Sequence, residues 1–464
     1  MAKRQIVIIG GGFSGTALAI QLLRRADAQC AITLIEPRAE LAEGVAYSTQ
    51  DPVHRINVPA ARMQLSQAEK GDFDRWYRQQ SAFQHDSDAL WQDDSVYPQR
   101  RQFAVYLRDK LQRALHGSAA SFRHIKDYAD DYQSGQVITR QGRVLPVDQL
   151  VLAISHPAPT IPSEFQPLST DPRLIVDPWQ SDQLSQIDPL ASLAIIGTGL
   201  TMSDVVASLV RQGHRGKITA ISRRGQLPRA NLSGDYAEYS LPEAPYSPMT
   251  ARHWLRFIRQ QVRLAALQQL PWQVVLDDVR RQGQTIWQQL SVEEQRRFQR
   301  HLRPWWDVHR YRIAPQVSAV VEDYLASSQL KVYAARITAV QRISGQITLA
   351  LALRHGGRTE LAVDKVILTT GPAHQALISS QPLLQSLAKQ RLIMADPLGL
   401  GIAVSAQSQA MTATGDINRT IFVVGPAARG RFGELMGLPQ VAEHAEFIAA
   451  QLTSDNERCP SFQC

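Results

Sequence analysis

Two clusters of small residues have the spacing of a phosphate cradle. The first, Gly10-Gly11-Gly12-Phe13-Ser14-Gly15, directly follows the apolar run QIVII. Gly10 permits a tight turn, Gly12 lets backbone amides approach a pyrophosphate with no Cβ between, and Gly15 lets a helix lie close to the strand. The amides around Phe13 and Ser14 then start a helix, where the aligned peptide dipoles favour negative charge. Glu36 ends the next apolar run, AITLIE. A carboxylate there accepts hydrogen bonds from both hydroxyls of a ribose.

The second cluster is Gly197-Thr198-Gly199-Leu200-Thr201-Met202. Met202 stands where a third glycine would be, which predicts looser packing of helix on strand. The run after it ends in Ser222-Arg223-Arg224 instead of an acid. A carboxylate there would repel a 2′-phosphate, whereas serine and arginine bind one, and arginine adds a two-pronged grip. The acid after one turn and the arginines after the other assign FAD to the N-terminal site and NADPH to the internal site. Two dinucleotides on one chain imply hydride passing from nicotinamide to flavin.

A third cluster, Arg303-Pro304-Trp305-Trp306-Asp307-Val308-His309-Arg310-Tyr311-Arg312, concentrates aromatic faces, guanidinium groups and an imidazole. Such a run binds an anionic or planar substrate, or clamps coenzyme phosphates. His309 is the candidate acid or base near neutral pH, with Arg310 beside it. The alternative is a helix end with Trp in a small core and Arg paired with Asp307. A short run without a wider basic stripe argues against nucleic acid as the partner.

These clusters need elements to hold them. A strand, a glycine turn, a helix and a second strand occur in order at 5–36 and again at 193–224, so the fold class is α/β with two Rossmann-like domains. The FAD domain is expected to be discontinuous, from 1–189 and 366–464. The NADPH domain is expected over 190–365, with a helical insertion at 245–327 that is rich in Arg, Gln and Trp. A Pro-rich stretch from His156 to Pro189 reads as a linker.

At 464 residues, with 44% hydrophobic and 20% charged side chains, disorder of the whole chain is excluded. Fifty basic against 42 acidic residues give a net charge of +8, which helps anions approach. Cys30, Cys459 and Cys464 form no Cys-x-x-Cys pair. That excludes a redox-active disulfide and fits a reduced, cytoplasmic setting. No run of about 18 apolar residues is present, so no membrane span is expected. No metal site is expected.

The paired units resemble the two-dinucleotide-domain flavoproteins, among them glutathione reductase and the class B flavin monooxygenases. VLAISHP (151–157) and VILTTGP (366–372) resemble the strands at which such chains cross between domains, and Gly371 is the turn residue of the second. IFVVGPA resembles the strand whose following Gly-Asp holds the flavin ribityl chain, but here Gly425 precedes Pro426. The segments around Tyr47 and Asn57 (GVAYST and HRINVP) resemble a family of bacterial FAD/NAD(P)-binding proteins. Met63-Gln64, with Tyr97-Pro98 and Arg101-Gln102-Phe103, resembles the ornithine and lysine N-hydroxylases. That resemblance implies Met63 and Gln64 beside the flavin ring, with Gln64 a candidate catalytic residue, and Arg101 in the cofactor site. It also implies that the last helix, opening at Pro439 and Gln440, points its N-terminus at flavin N1.

The function expected is an FAD-containing, NADPH-dependent oxidoreductase that reacts with molecular oxygen and oxygenates a small molecule, an amine among the candidates. Two alternatives stand beside it: a reductase passing electrons to a quinone or another small acceptor, and a non-catalytic protein that keeps flavin as structure. Oligomeric state is left open.

Overall fold

The computed structural model describes residues 3–154, 156–179, 181–234, 236–244 and 249–454. The polar tail with Cys459 and Cys464, and the first four residues of the expected insertion, lie outside the described residues.

The run after the N-terminus forms the buried strand Arg4–Ile9, at the centre of a six-stranded sheet. It pairs in parallel with Cys30–Ile35 on one side and Gln149–Leu152 on the other. The chain therefore leaves this strand in opposite directions, which opens a crevice beyond its C-terminal end. The helix Phe13–Arg25 fills the space above, with every residue from Gly15 to Leu23 buried.

The second unit repeats this plan. Leu193–Ile196 lies between Ile218–Ser222 and Lys365–Leu368, all parallel, in a seven-stranded sheet. Gly10 N–H donates to the Ile35 carbonyl (2.9 Å), and Gly197 N–H donates to the Ile221 carbonyl (2.8 Å). The crossing strands take matching places: Ala153 N–H bonds Ile9 O, and Thr369 N–H bonds Ile196 O. In each unit an antiparallel three-stranded meander precedes the last central strand. In the first it is a separate sheet (Ala129–Gln133, Gln136–Thr139, Val144–Pro146); in the second it is continuous with the main sheet (Leu330–Ile343, Gln346–Leu353, Arg358–Val363).

Three expectations need adjustment. The strand Leu174–Ile175, within the segment assigned to the first unit, pairs with Lys365–Leu368 at the edge of the second sheet. The boundary expected at 365/366 shifts too, because residues 366–368, assigned to the first unit, belong to the strand Lys365–Leu368, which hydrogen-bonds within the second sheet. The helix Pro315–Ala326, placed in the insertion, packs Val321 into the second core and leads directly into Leu330–Ile343. It is the crossover that a parallel strand pair requires.

The remaining inserted helices run from Ala251–Leu267 to Arg303–Arg310. They build a small core of their own around Trp254, Phe257 and Trp287. That core extends onto Leu398 and Leu400 of the C-terminal segment, so the insertion rests on the first unit as well as the second.

Candidate active site

The first glycine turn shows why its residues are small. A Cβ on Gly15 would stand 1.9 Å from the Gly10 carbonyl, and one on Gly10 would stand 2.4 Å from the Ala153 carbonyl. Gly10 also holds φ at +102°, which side-chain-bearing residues rarely adopt. The helix Phe13–Arg25 carries no side-chain cap and no acid in its first turn, so its N-terminal amides face the crevice. Glu36 is buried beside them. It accepts from Gly11 N–H (2.8 Å) and from the backbone and side chain of Arg38 (3.1 and 3.2 Å).

Of the other expected cofactor residues, Gly425 packs against this turn and Tyr47 reaches it through Phe103. A Cβ on Gly425 would meet Ser14 Oγ at 2.4 Å, which places the turn before Pro426 against the first helix turn. The Tyr47 ring lies 5.0 Å from that of Phe103, itself 5.7 Å from Phe13. Met63 and Gln64 are buried, and Met63 belongs to the same core as this aromatic group. Pro439 and Gln440 open the helix Gln440–Thr453. Its first turn is held by Arg280 of the insertion, which donates to Leu438 O and to Gln440 Oε1.

The glycine turn of the second unit differs from the first. Gly197 is packed: its Cβ would lie 2.6 Å from the Thr369 carbonyl. A Cβ on Gly199 would meet nothing within 4 Å, nor would one on Gly371. No protein atom requires Gly199 to be bare, so the open space is a place for a ligand to approach. Met202 is fully buried, and its side chain occupies the room that the close helix–strand contact of Gly15 removes in the first unit. Leu200 and Thr201 begin an uncapped helix, Leu200–Arg211. Ser222 Oγ accepts from Gly225 N–H (2.9 Å) and lies 2.9 Å from Thr198 Oγ1, so it shapes the turn. Arg223 and Arg224 line a depression with Arg336 and Arg354. The latter pair, far along the chain, carries no local signal in the sequence. Arg336 faces Ala352 across a hairpin, so only the register brings the four guanidinium groups together.

Asn57 and Arg101 make their hydrogen bonds to residues outside both turns. The Asn57 carbonyl accepts from Asn231 Nδ2 (2.7 Å), and Arg101 reaches Gln50 Oε1 at 3.4 Å. The neighbouring Arg100 ties the units together instead, pairing with buried Asp204 at 2.8 Å. His54 and Asp51 add to this seam through Ser208 (2.9 and 2.7 Å). Burial holds the His54 imidazole below its usual range.

The third cluster forms the helix Arg303–Arg310. Arg310 is buried and donates to Glu434 Oε2 (3.0 Å), while Trp306 donates to Glu434 Oε1 (2.9 Å). Arg310 is therefore occupied in fastening the insertion to the C-terminal segment. His309 is half-buried over Trp272, with Nδ1 2.7 Å from the Trp305 carbonyl. A carbonyl only accepts, so the proton resides on Nδ1 and Nε2 is the available base of the neutral ring.

Beside this helix lies an apolar cavity of about 780 Å³, lined by five tryptophans together with His309, Arg429 and Glu434. The helix Trp272–Arg281 borders both the cavity and the first site: Trp272, Leu276 and Val279 line the cavity, while Asp277 pairs with Arg62 and Arg280 reaches Leu438. Sequence reasoning also missed Arg429 and His374. Their signal is local: Arg429 follows a run of buried small residues, where a cation is out of place. The His156 and His374 rings, one from each domain crossing, meet at 5.0 Å. Burial first, then the charge of Arg429, pushes His374 down to about 3.

His444 supplies a pH test. It is fully buried, its Nδ1 accepts from Gly425 N–H (3.1 Å), and burial pushes its pKa down to about 3. The unfolded chain binds the proton near 6.5 and the folded chain does not. Its contribution is therefore complete above pH 6.5 and is lost as pH falls from 6.5 toward 3, by about 1.4 kcal/mol per pH unit. The melting temperature is expected to fall between pH 7 and 5, and His444→Leu is expected to flatten that slope while lowering stability at pH 7.5. A melting temperature constant across this range contradicts the assignment.

Residues 7–157 match the family model described as FAD-NAD(P)-binding. No curated protein matches the chain. Among solved structures, it is similar to ornithine hydroxylase from Pseudomonas aeruginosa, at 18% identity over 97% of this chain and 99% of that one, with a TM-score of 0.62. The ornithine N-hydroxylase of a Kutzneria species, with reduced FAD, NADP⁺ and L-ornithine, matches at 16% over 97% and 99%, with a TM-score of 0.62. The FAD-bound cadaverine monooxygenase from Erwinia amylovora matches at 12% over 100% and 98%, with a TM-score of 0.63. The chain shares the fold of these three structures. The shared fold spans nearly its whole length, the inserted helices included. Among the described residues no helix is long and apolar enough to cross a membrane, and no group of three or more metal-ligating side chains is found.

Proposed function

We propose that this chain is an FAD-containing, NADPH-dependent monooxygenase acting on a small molecule. One observation carries the reading: the two equivalent strand–glycine–helix turns end differently, one at buried Glu36 and the other at a depression of four arginines. The residues fit the two coenzymes. Bare amides at Gly12–Ser14 and the Glu36 carboxylate suit the pyrophosphate and ribose of FAD. The open space at Gly199 and the arginines suit NADPH. The relatives of this fold support the chemistry, since their structures hold FAD, reduced FAD with NADP⁺, and an amine-bearing substrate.

When bound, FAD supplies an acceptor for hydride and a two-electron donor to oxygen. The chain does the rest. Pro439 fixes the opening turn of the last helix, and the helix N-terminus at Gln440, with its backbone N–H, would stabilise negative charge on the ring. Met63 and Gln64 exclude water from one side. His309, on the wall of the aromatic cavity, offers Nε2 as a base that takes a proton from a substrate bound there.

The test is anaerobic mixing of the yellow protein with NADPH, then with oxygen in the presence of candidate amines and acids. Bleaching of the flavin, followed by an oxygenated product formed in step with NADPH consumption, is the expected result. Bleaching with hydrogen peroxide as the sole outcome, or electrons delivered to a quinone, makes the chain a reductase. No bleaching removes the catalytic reading.

A further inference from the structure

Among the residues that line the aromatic cavity, Trp254, Gln299 and Arg429 have buried N–H groups with no hydrogen-bond partner, and of these Arg429 alone is charged. Arg429 is 4% exposed and lines the cavity beside the inserted helices. Its Nη1 touches Met436 Sδ at 2.8 Å, but its Nε and Nη2, both buried, have no hydrogen-bond partner. Those two N–H groups form the side-on edge of the guanidinium, the edge that receives a carboxylate through two parallel hydrogen bonds. Among the described arginines no other has two adjacent buried N–H groups left this way; Arg101, Arg280 and Arg310 each have one.

The acids nearby are already engaged. Asp307 faces Arg303 at 3.4 Å, and Glu434 accepts from Arg310 and Trp306. Asp396 accepts from the backbone amides of Leu398 (2.8 Å), Leu400 and Gly401 (2.6 Å). A buried guanidinium edge with no acceptor is unfavourable unless a ligand completes it. Most of the remaining wall is apolar: Trp254, Trp272, Trp287, Ile258 and Leu276 form it, half-exposed Trp305 stands at its rim, and Arg259 and Arg303 add charged side chains to the lining. Its volume exceeds what a linear diamine or a small basic amino acid fills, and its surface offers flat faces for a ring system.

We propose that this cavity is the substrate site and that it takes a carboxylic acid with a large, flat apolar body, the carboxylate seated on the Nε–Nη2 edge of Arg429. This deepens the monooxygenase reading and rests on it for the word substrate. The binding claim stands on the cavity and on Arg429.

The experiment titrates the FAD-loaded chain, without NADPH, with 3-(2-naphthyl)propionate, with its primary amide and with L-ornithine. The readout is quenching of tryptophan fluorescence. The acid is expected to bind at least about tenfold more tightly than the amide, as a charge-assisted pair requires, and ornithine is expected to cause no change. R429Q is expected to bind acid and amide alike. W305A is expected to weaken both by the same factor and keep the acid preference. Equal binding of acid and amide by the native chain overturns the proposal without reference to any variant, and so does an acid preference that persists in R429Q. Failure of the catalytic reading looks different: a protein that NADPH does not bleach and that still prefers the acid keeps the anion site and loses the monooxygenase.

Discussion

Replacing Arg223 and Arg224 together by alanine is expected to lower the second-order rate of flavin reduction by NADPH about 100-fold, as loss of charge-assisted hydrogen bonds to a phosphate predicts, while the rate with NADH changes by less than about twofold. The two arginines follow the strand Ile218–Ser222, whose end is where a dinucleotide bound at this turn would place its adenosine ribose. Arg336 and Arg354 close the other side of the depression, so their replacement should act in the same direction. Anaerobic stopped-flow measurements with both coenzymes decide the matter. Equal losses for NADPH and NADH would show that these cations serve the fold and do not read a 2′-phosphate.

Alanine at Gly15 and alanine at Gly199 should have opposite signatures, although both glycines sit in the same kind of turn. At Gly15 the new Cβ would stand 1.9 Å from a backbone oxygen. The helix must then move off the strand, and the chain should lose both FAD and several degrees of melting temperature even as apoprotein. At Gly199 the same methyl group enters open space. Stability should stay within about 0.5 kcal/mol, as for a substitution away from any packed feature, while NADPH binding weakens because the methyl group occupies the path of the pyrophosphate. Melting curves of the apoprotein and NADPH titrations of the two variants give the answer. A destabilised Gly199→Ala with unaltered coenzyme affinity would mean that this glycine is structural and that the internal turn is no coenzyme cradle.

How much of this was legible in the chain differs from element to element. The turns at Gly10 and Gly197 were, because their chemistry is local. An apolar strand, a glycine with positive φ and a helix with bare first amides are all encoded within about ten consecutive residues, and Glu36 or Arg223 follows one strand later. Met202 was legible for the same reason, as a side chain where the first unit tolerates only hydrogen. The alternation of strands and helices also revealed two doubly wound sheets, since each parallel pair needs a crossover of sufficient length.

Other placements came from contacts between residues far apart in the chain. Leu174–Ile175 is two residues long and too short to show which sheet it joins; only its pairing with Lys365–Leu368 decides. The cluster from Arg303 to Arg312 has the composition of a site, yet composition is silent on which of its cations is free. Tertiary structure commits Arg310 to Glu434 and Arg312 to Asp277, and leaves the unpartnered guanidinium edge at Arg429, more than a hundred residues later. Arg336 and Arg354 join Arg223 through strand register. The sequence by itself determined the two strand–glycine–helix turns, because hydrogen bonding and backbone conformation act over a few residues. Tertiary structure alone decided where the walls of the aromatic cavity meet and which charge they leave unanswered, because burial and ion pairing depend on distance in space and not on distance along the chain.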